Sequence, residues 1–256
     1  MFKSFRLKGF ASLCLTLLLG VALAGSALAE EKVYINGIDA SYPPFAFIDT
    51  SGQAAGFDVD SMNWIANKMG FKVKHEAMDW SSIVTSLLGK RIDMVCSGMS
   101  ISPERKAVVT FSEPYFSIRK YLLVHNDSNF TREEVLNGNL KLGVQGGTNE
   151  ALWLEENKAP NKWNYSLRYY ASPPMAIEDL VNKRIDAAAI DSAPANDAIG
   201  KQGKPVKIVG EFAEGDDFGV ATRNEDTELR NTINEGYRLL KADPYWEELK
   251  AKYELK

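Results

Sequence analysis

Cysteine and histidine are almost missing from this chain, which has two of each among 256 residues. Cys14 falls in an N-terminal leader. Removal of the leader leaves Cys96 alone, so no internal disulfide can form, and Cys96 reads as a small buried residue. His75 and His125 lie far apart, and no cluster of His, Cys or carboxylates has metal-ligand spacing. No metal and no other cofactor is expected. Positive charge is also short: 30 Lys and Arg face 34 Asp and Glu, for a net charge of −4. Lys3, Arg6 and Lys8 belong to the leader, so the remainder is more acidic still. Nucleic acid and anionic membrane both demand clustered Lys and Arg, and this balance excludes them as partners. Beyond the leader no apolar run approaches the ~18 residues of a membrane span, so no stable membrane insertion is expected. The glycine-rich stretch 143–147 lacks the Lys and the spacing of a phosphate-binding loop.

What is present begins with an address. Lys3, Arg6 and Lys8 precede an apolar run over residues 11–23, and Ala27-Leu28-Ala29 places small residues at the two positions a signal peptidase reads. Residues 1–29 are therefore expected to be a signal peptide, cleaved after Ala29. Leu13 stands where lipidation at Cys14 would need a small residue, so a lipid anchor is not expected.

The remaining chain alternates short apolar runs with helical patterns, which points to an α/β architecture. Strands are expected at 33–35, 71–77, 92–96, 140–144 and 185–190, and helices at 58–69, 80–88 and 174–181. Ser102-Pro103-Glu104 is a helix start with a hydroxyl cap, Pro at the first helical position and an acid in the first turn. The Glu- and Lys-rich segment 245–256 reads as a helix with a solvated face. One tetrapeptide occurs twice, Lys90-Arg91-Ile92-Asp93 and Lys183-Arg184-Ile185-Asp186, each time between an amphipathic helix and a strand. That context suggests two similar α/β units. Ligands of open α/β units bind beyond the carboxyl ends of the strands, which puts the segments starting at Asp39, Ser97, Thr148 and Asp191 on one cleft.

The motifs in these segments resemble those of family 3 extracellular solute-binding proteins, the polar amino-acid group. The matching runs are Gly37-Ile38-Asp39-Ala40-Ser41-Tyr42-Pro43-Pro44-Phe45, Gly56-Phe57-Asp58-Val59-Asp60 and Ser97-Gly98-Met99-Ser100-Ile101-Ser102-Pro103-Glu104-Arg105. Phe111-Ser112-Glu113-Pro114-Tyr115, Gly143-Val144-Gln145-Gly146-Gly147-Thr148, Phe218-Gly219-Val220-Ala221 and Asp243-Pro244-Tyr245-Trp246 continue the series in order. The resemblance implies a two-lobed α/β periplasmic-binding-protein (Venus-flytrap) fold with two crossovers. Lobe 1 would be residues 30–118 with the return 219–256, and lobe 2 residues 119–218. It also implies a periplasmic monomer that closes on a free amino acid and delivers it to the membrane permease of an ABC importer.

Carried over position by position, the resemblance gives the ligand carboxylate to Arg105, the Ser100 hydroxyl and backbone donors near Gly98, Gly147 and Thr148. The ligand ammonium goes to Asp191. Tyr42 and Trp80 are expected as aromatic walls, with Phe45 either wall or core and Met99 on the binding loop. Asp39 and Ser97 would read the ligand side chain, and the acid at Asp39 favours a polar, basic one. Asp39 could instead cap the backbone of its own loop. A rival reading on the same fold is a cyclohexadienyl (prephenate or arogenate) dehydratase. That branch needs an acid shortly after Asp191, where this chain has Ser192-Ala193-Pro194.

Overall fold

The computed structural model describes residues 32–255. The leader, with the expected cleavage after Ala29, lies outside the described residues. The chain starts with β1 (Val33–Ile38), the short strands β2 (Ser41–Tyr42), β3 (Ala46–Ile48) and β4 (Ala54–Ala55), then α1 (Phe57–Met69), β5 (Lys72–Ala77), α2 (Trp80–Leu88), β6 (Met94–Val95), α3 (Pro103–Lys106) and β7 (Thr110–Phe111). It continues through β8 (Phe116–His125), α4 (Arg132–Asn137), β9 (Lys141–Gln145), α5 (Asn149–Lys158), β10 (Ser166–Tyr170), α6 (Pro173–Val181), β11 (Ala187–Asp191), α7 (Ser192–Asn196), a short π-helix (Asp197–Lys201) and β12 (Val206–Phe218). The chain closes with β13 (Ala221–Thr222), α8 (Thr227–Ala242) and α9 (Tyr245–Lys252).

Two five-stranded sheets define two lobes. The first has the order β5-β1-β6-β13-β7 and the second β10-β9-β11-β8-β12. The chain passes between them at the start of β8 and the end of β12, which pair as Ser117 with Asp217 and Phe116 with Phe218. The C-terminal helices pack on the first lobe: Leu229, Ile233, Tyr237 and Leu249 share a core with Phe57, Met62 and Ile65. The second lobe has its own core around Leu142, Val144, Leu154 and Tyr165.

The repeated tetrapeptide has the same geometry in both lobes. Lys90 and Lys183 each turn the chain with a left-handed backbone (φ 59° and 57°). Asp93 Oδ2 accepts the Ile35 amide at 2.9 Å and Asp186 Oδ2 accepts the Lys141 amide at 2.8 Å, so each acid fastens the start of a neighbouring strand. Ile92 and Ile185 pack where a Cβ on Gly37 or Gly143 would otherwise lie.

Two elements differ from expectation. The strand expected over 92–96 is only Met94–Val95, because the Asn36 side chain takes over the pairing at Cys96 through 2.7 and 3.2 Å bonds. The final helix is not merely solvated, since Leu249 is buried and Trp246 meets Phe57 edge-on at 5.1 Å.

Candidate ligand-binding site

The ends of β1, β6, β9 and β11 converge on a cleft enclosing about 290 Å³ between the lobes. Its lining includes Asp39, Tyr42, Trp80, Ser97, Gly98, Ser100 and Arg105 from the first lobe, with Thr148 and Asp191 from the second.

Arg105 forms one pole. The Ser102 hydroxyl accepts the Arg105 amide at 3.3 Å and starts the single turn of α3, and this local cap aims the side chain. Its guanidinium donates to the Ser100 carbonyl at 2.8 Å and, across the cleft, to the Gly147 carbonyl at 3.3 Å. The guanidinium also lies 5.2 Å from the Trp80 ring centroid. Burial lowers its pKa from the ordinary value, with Glu150, Asp216 and Asp191 acting in the opposite sense, and it remains a cation. The N-terminal end of α5 opens on the same side. Thr148 caps it by accepting the Ala151 amide at 3.2 Å while donating to the Gln145 carbonyl at 2.8 Å. A guanidinium beside a helix N-terminus is a ready site for a carboxylate.

Asp191 forms the opposite pole. It ends β11, is 8% exposed, and its Oδ2 accepts the Tyr42 hydroxyl at 2.6 Å. Its Oδ1 has no hydrogen-bond partner. The neighbouring buried Glu150 has its Oε1 3.8 Å from the Lys120 ammonium, beyond hydrogen-bond distance. Burial raises the Asp191 pKa well above the carboxylate range, and the Glu150 charge adds to this; the Tyr42 bond and Lys120 oppose it. A buried carboxylate with an oxygen left without a hydrogen bond calls for a donor or a cation.

The family model of the bacterial extracellular solute-binding proteins, family 3, matches residues 34–256. The chain belongs to this family. The L-cystine-binding protein TcyJ of Escherichia coli (strain K12) is 30% identical over 226 residues, covering 88% of this chain and 83% of that protein. The lysine/arginine/ornithine-binding periplasmic protein of the same strain is 30% identical over 251 residues, covering 94% and 95%. The solved structure of an ancestral arginine-binding protein bound to arginine matches with a TM-score of 0.80 at 31% identity, over 87% of this chain and 98% of that one. These relatives are named for binding, which stands against the dehydratase alternative. Among the described residues of this solute-binding protein, no helix is long and apolar enough to cross a membrane.

Several expected site residues of this family member have other roles in the structure. Phe45 is a core residue, fully buried against Phe57, Phe116 and Phe218, while Tyr42, stacked on it at 5.6 Å, reaches the cleft with its hydroxyl. Met99 points into the core with Ile83, Leu87 and Val95, because the loop alternates its side chains between cleft and interior. The Gly98 amide, expected as a ligand donor, is committed to Asp58 Oδ2 at 2.6 Å. Gly98 holds φ +59°, and a Cβ there would strike the Tyr42 ring, so glycine is needed for this close approach. Ser97 accepts the Asp39 amide at 2.9 Å and braces the two loops. Gly147 is not part of the lining; it offers its carbonyl to Arg105 and to Trp80 Nε1, the latter at 3.1 Å.

Gln145, Asn149 and Glu150 also line the cleft and were not singled out in the sequence. Gln145 Nε2 donates to Asp39 Oδ2 at 2.8 Å across the cleft, while Asp39 Oδ1 accepts the Ser41 amide at 3.0 Å. Asp39 therefore makes the local loop bond and also faces the ligand space. Burial raises its pKa, and the Gln145 and Ser41 bonds oppose the shift. A signal for Gln145 was available: it lies two residues before Gly147 at the end of an apolar strand, where a polar residue must face the cleft.

Proposed function

We propose that this protein binds a free L-amino acid with a polar, basic side chain between its lobes and delivers it in the periplasm to an ABC-type permease. The observation that carries this reading is the pair of opposed poles on one cleft. The Arg105 guanidinium and the α5 N-terminus suit a carboxylate, and Asp191 Oδ1, which has no hydrogen-bond partner, suits an ammonium. Asp39 extends the negative lining toward Tyr42 and Trp80, where a side chain would lie. Around the cleft the carboxylates of Asp39, Glu150, Asp191 and Asp216 face only Arg105 and Lys120 as cations, a balance that favours a cationic ligand over an acidic one. Relatives named for lysine, arginine, ornithine and cystine agree with a polar, nitrogen-bearing ligand class.

The ligand would bridge Arg105 on the first lobe (30–118 and 219–256) and Asp191 on the second (119–218), so it is gripped fully only when the lobes close. Differential affinity for the closed state is what lets a ligand shift that equilibrium. The exported form would be a monomer beginning after Ala29. A thermal-shift and calorimetric panel of the common amino acids and cystine on wild type, Arg105→Ala and Asp39→Asn tests the reading. Wild type should be stabilised most by a basic amino acid, by about 2.7 kcal/mol at roughly 100 times the dissociation constant. Arg105→Ala should weaken binding by about 30-fold or more while staying folded. Asp39→Asn should lose affinity selectively for the basic ligand. A preference for glutamate, or equal affinities in wild type and Asp39→Asn, would remove the basic assignment.

A further inference from the structure

Lys120 is the one lysine buried among the described residues, at 3% exposure. It sits on β8 directly opposite Asp191 in the antiparallel register with β11, so the two side chains share a face of the sheet. Its Nζ lies 2.9 Å from Asp216 Oδ2 and 3.8 Å from Glu150 Oε1. Asp216 Oδ2 also accepts from Asn149 Nδ2 at 3.0 Å, which ties the first residue of α5 into the same cluster. Carboxylates from β11, α5 and β12 thus gather around one interior ammonium. The other ionisable groups that face them are Tyr42, which donates to Asp191, and Arg105, whose charge feels Glu150, Asp216 and Asp191.

We propose that Lys120 is a positioning residue for this site: its buried ammonium holds Glu150 and Asp216 and offsets their charge, so that Asp191 receives a ligand ammonium instead of holding a proton against Glu150. The proposal rests on Asp191 being the ammonium pole, as read above. Adjacent buried carboxylates cannot both stay charged without a cation between or beside them. In this cluster the cation is either a resident lysine, a ligand ammonium or a proton. Lys120 acts on Asp191 against the combined effect of burial and Glu150. Without Lys120 the proton gains ground, and a ligand must then expel it before its own ammonium can bind. Affinity falls about tenfold per pH unit below the midpoint of that exchange. Lys120 also sits on one of the two strands that link the lobes, and its partner Asp216 sits on the other. The charge that orders the ammonium pole is thereby fixed to the segment about which the lobes would move.

The test is calorimetric titration of wild type, Lys120→Met, Glu150→Gln and Lys120→Met/Glu150→Gln with L-arginine, L-lysine and L-histidine across about pH 5 to 9. Lys120→Met should bind about tenfold more weakly on the acid side of the midpoint, with that midpoint roughly one pH unit above wild type. Removing the second acid in Lys120→Met/Glu150→Gln should bring the midpoint back. Glu150→Gln alone keeps Lys120 and a side chain of the same shape, and should lower the midpoint; it gives the reading even if Lys120→Met does not fold. Midpoints that coincide in all variants would overturn the proposal, whatever the affinities, since a purely structural lysine changes affinity but not its pH profile. Tighter binding by Lys120→Met at every pH would also overturn it, by making Lys120 a repelling charge. Failure of wild type to bind any of the three ligands would instead strike the ligand reading.

Discussion

Asp58 is fully buried beneath the loop that carries Gly98 and Ser100. Its Oδ2 accepts the Gly98 amide at 2.6 Å and the Tyr115 hydroxyl at 2.7 Å, and its Oδ1 has no partner. Burial pushes its carboxyl from 3.8 up to about 7, against those two bonds. Between these values the folded chain holds a proton that the unfolded chain has lost. The stability this contributes is present below about pH 4 and disappears as the pH rises through about 7. Measured by denaturant unfolding, wild type should lose on the order of 3–4 kcal/mol relative to Asp58→Asn across that window. A flat difference between the two curves would mean that Asp58 is not the titrating group. Burial also explains which site residues the sequence disclosed. Arg105 and Asp191 were legible through the family resemblance, which the helix start before Arg105 and the strand end at Asp191 supported. Lys120 and Glu150 were not. A lysine within a strand ordinarily reads as an edge residue, and a glutamate in a first helical turn as a complement to the helix dipole. Only the assembled lobe shows that both are interior. Tyr42 and Phe45 stack on each other at 18°, and what separates cleft from core is the Tyr42 hydroxyl, a distinction the pattern of aromatics did not reveal.

The repeated Lys-Arg-Ile-Asp turn connects sequence to architecture at the level of elements. A bare four-residue match was thin evidence, but three of the four residues have a recurring physical task. The lysine turns the backbone, the isoleucine fills the space above a strand glycine, and the aspartate fastens the neighbouring strand. Helices α2 and α6 were readable from their apolar spacing almost to the residue, because amphipathic helices carry a strong period. The central strand β6 was not, because a side chain from Asn36 replaces part of its ladder and no local pattern encodes that exchange. The isoleucine task is testable. Gly37→Ala should destabilise the protein by about 1–3 kcal/mol, since its new methyl meets Ile92 Cδ1 in a filled core. Ile92→Val removes that terminal carbon at a cost of about 0.5–1.5 kcal/mol alone. The double variant should be more stable than the sum predicts by about 1 kcal/mol, as expected for residues in direct contact. Strict additivity in urea unfolding would show that the glycine is not there to admit the isoleucine.

At the scale of the whole molecule, the two lobes meet through a small set of bonds at the cleft. Tyr42 reaches Asp191, Gln145 reaches Asp39, and both Trp80 and Arg105 donate to the Gly147 carbonyl. Apart from Ala193, which reaches into the first-lobe core, each lobe has its own apolar core, so these bonds and the ligand, more than a shared interior, decide how long the closed form lasts. Trp80 has two separable parts in this scheme. Its ring lies beside the Arg105 guanidinium and walls the cleft, while its indole N–H joins the lobes. Trp80→Phe keeps an aromatic wall and deletes the donor, leaving a carbonyl that Arg105 still contacts. One hydrogen bond of this kind contributes about 0.5–1.5 kcal/mol, so dissociation of the bound amino acid should accelerate by roughly two- to tenfold. Association should be nearly unchanged, because the bond forms only after the ligand is inside and the lobes have closed. Stopped-flow displacement of a radiolabelled or fluorescent ligand separates the two rates. A variant whose loss lies in the association rate, with dissociation as in wild type, would mean that Trp80 acts on the open form and that its bond to Gly147 does not hold the lobes together.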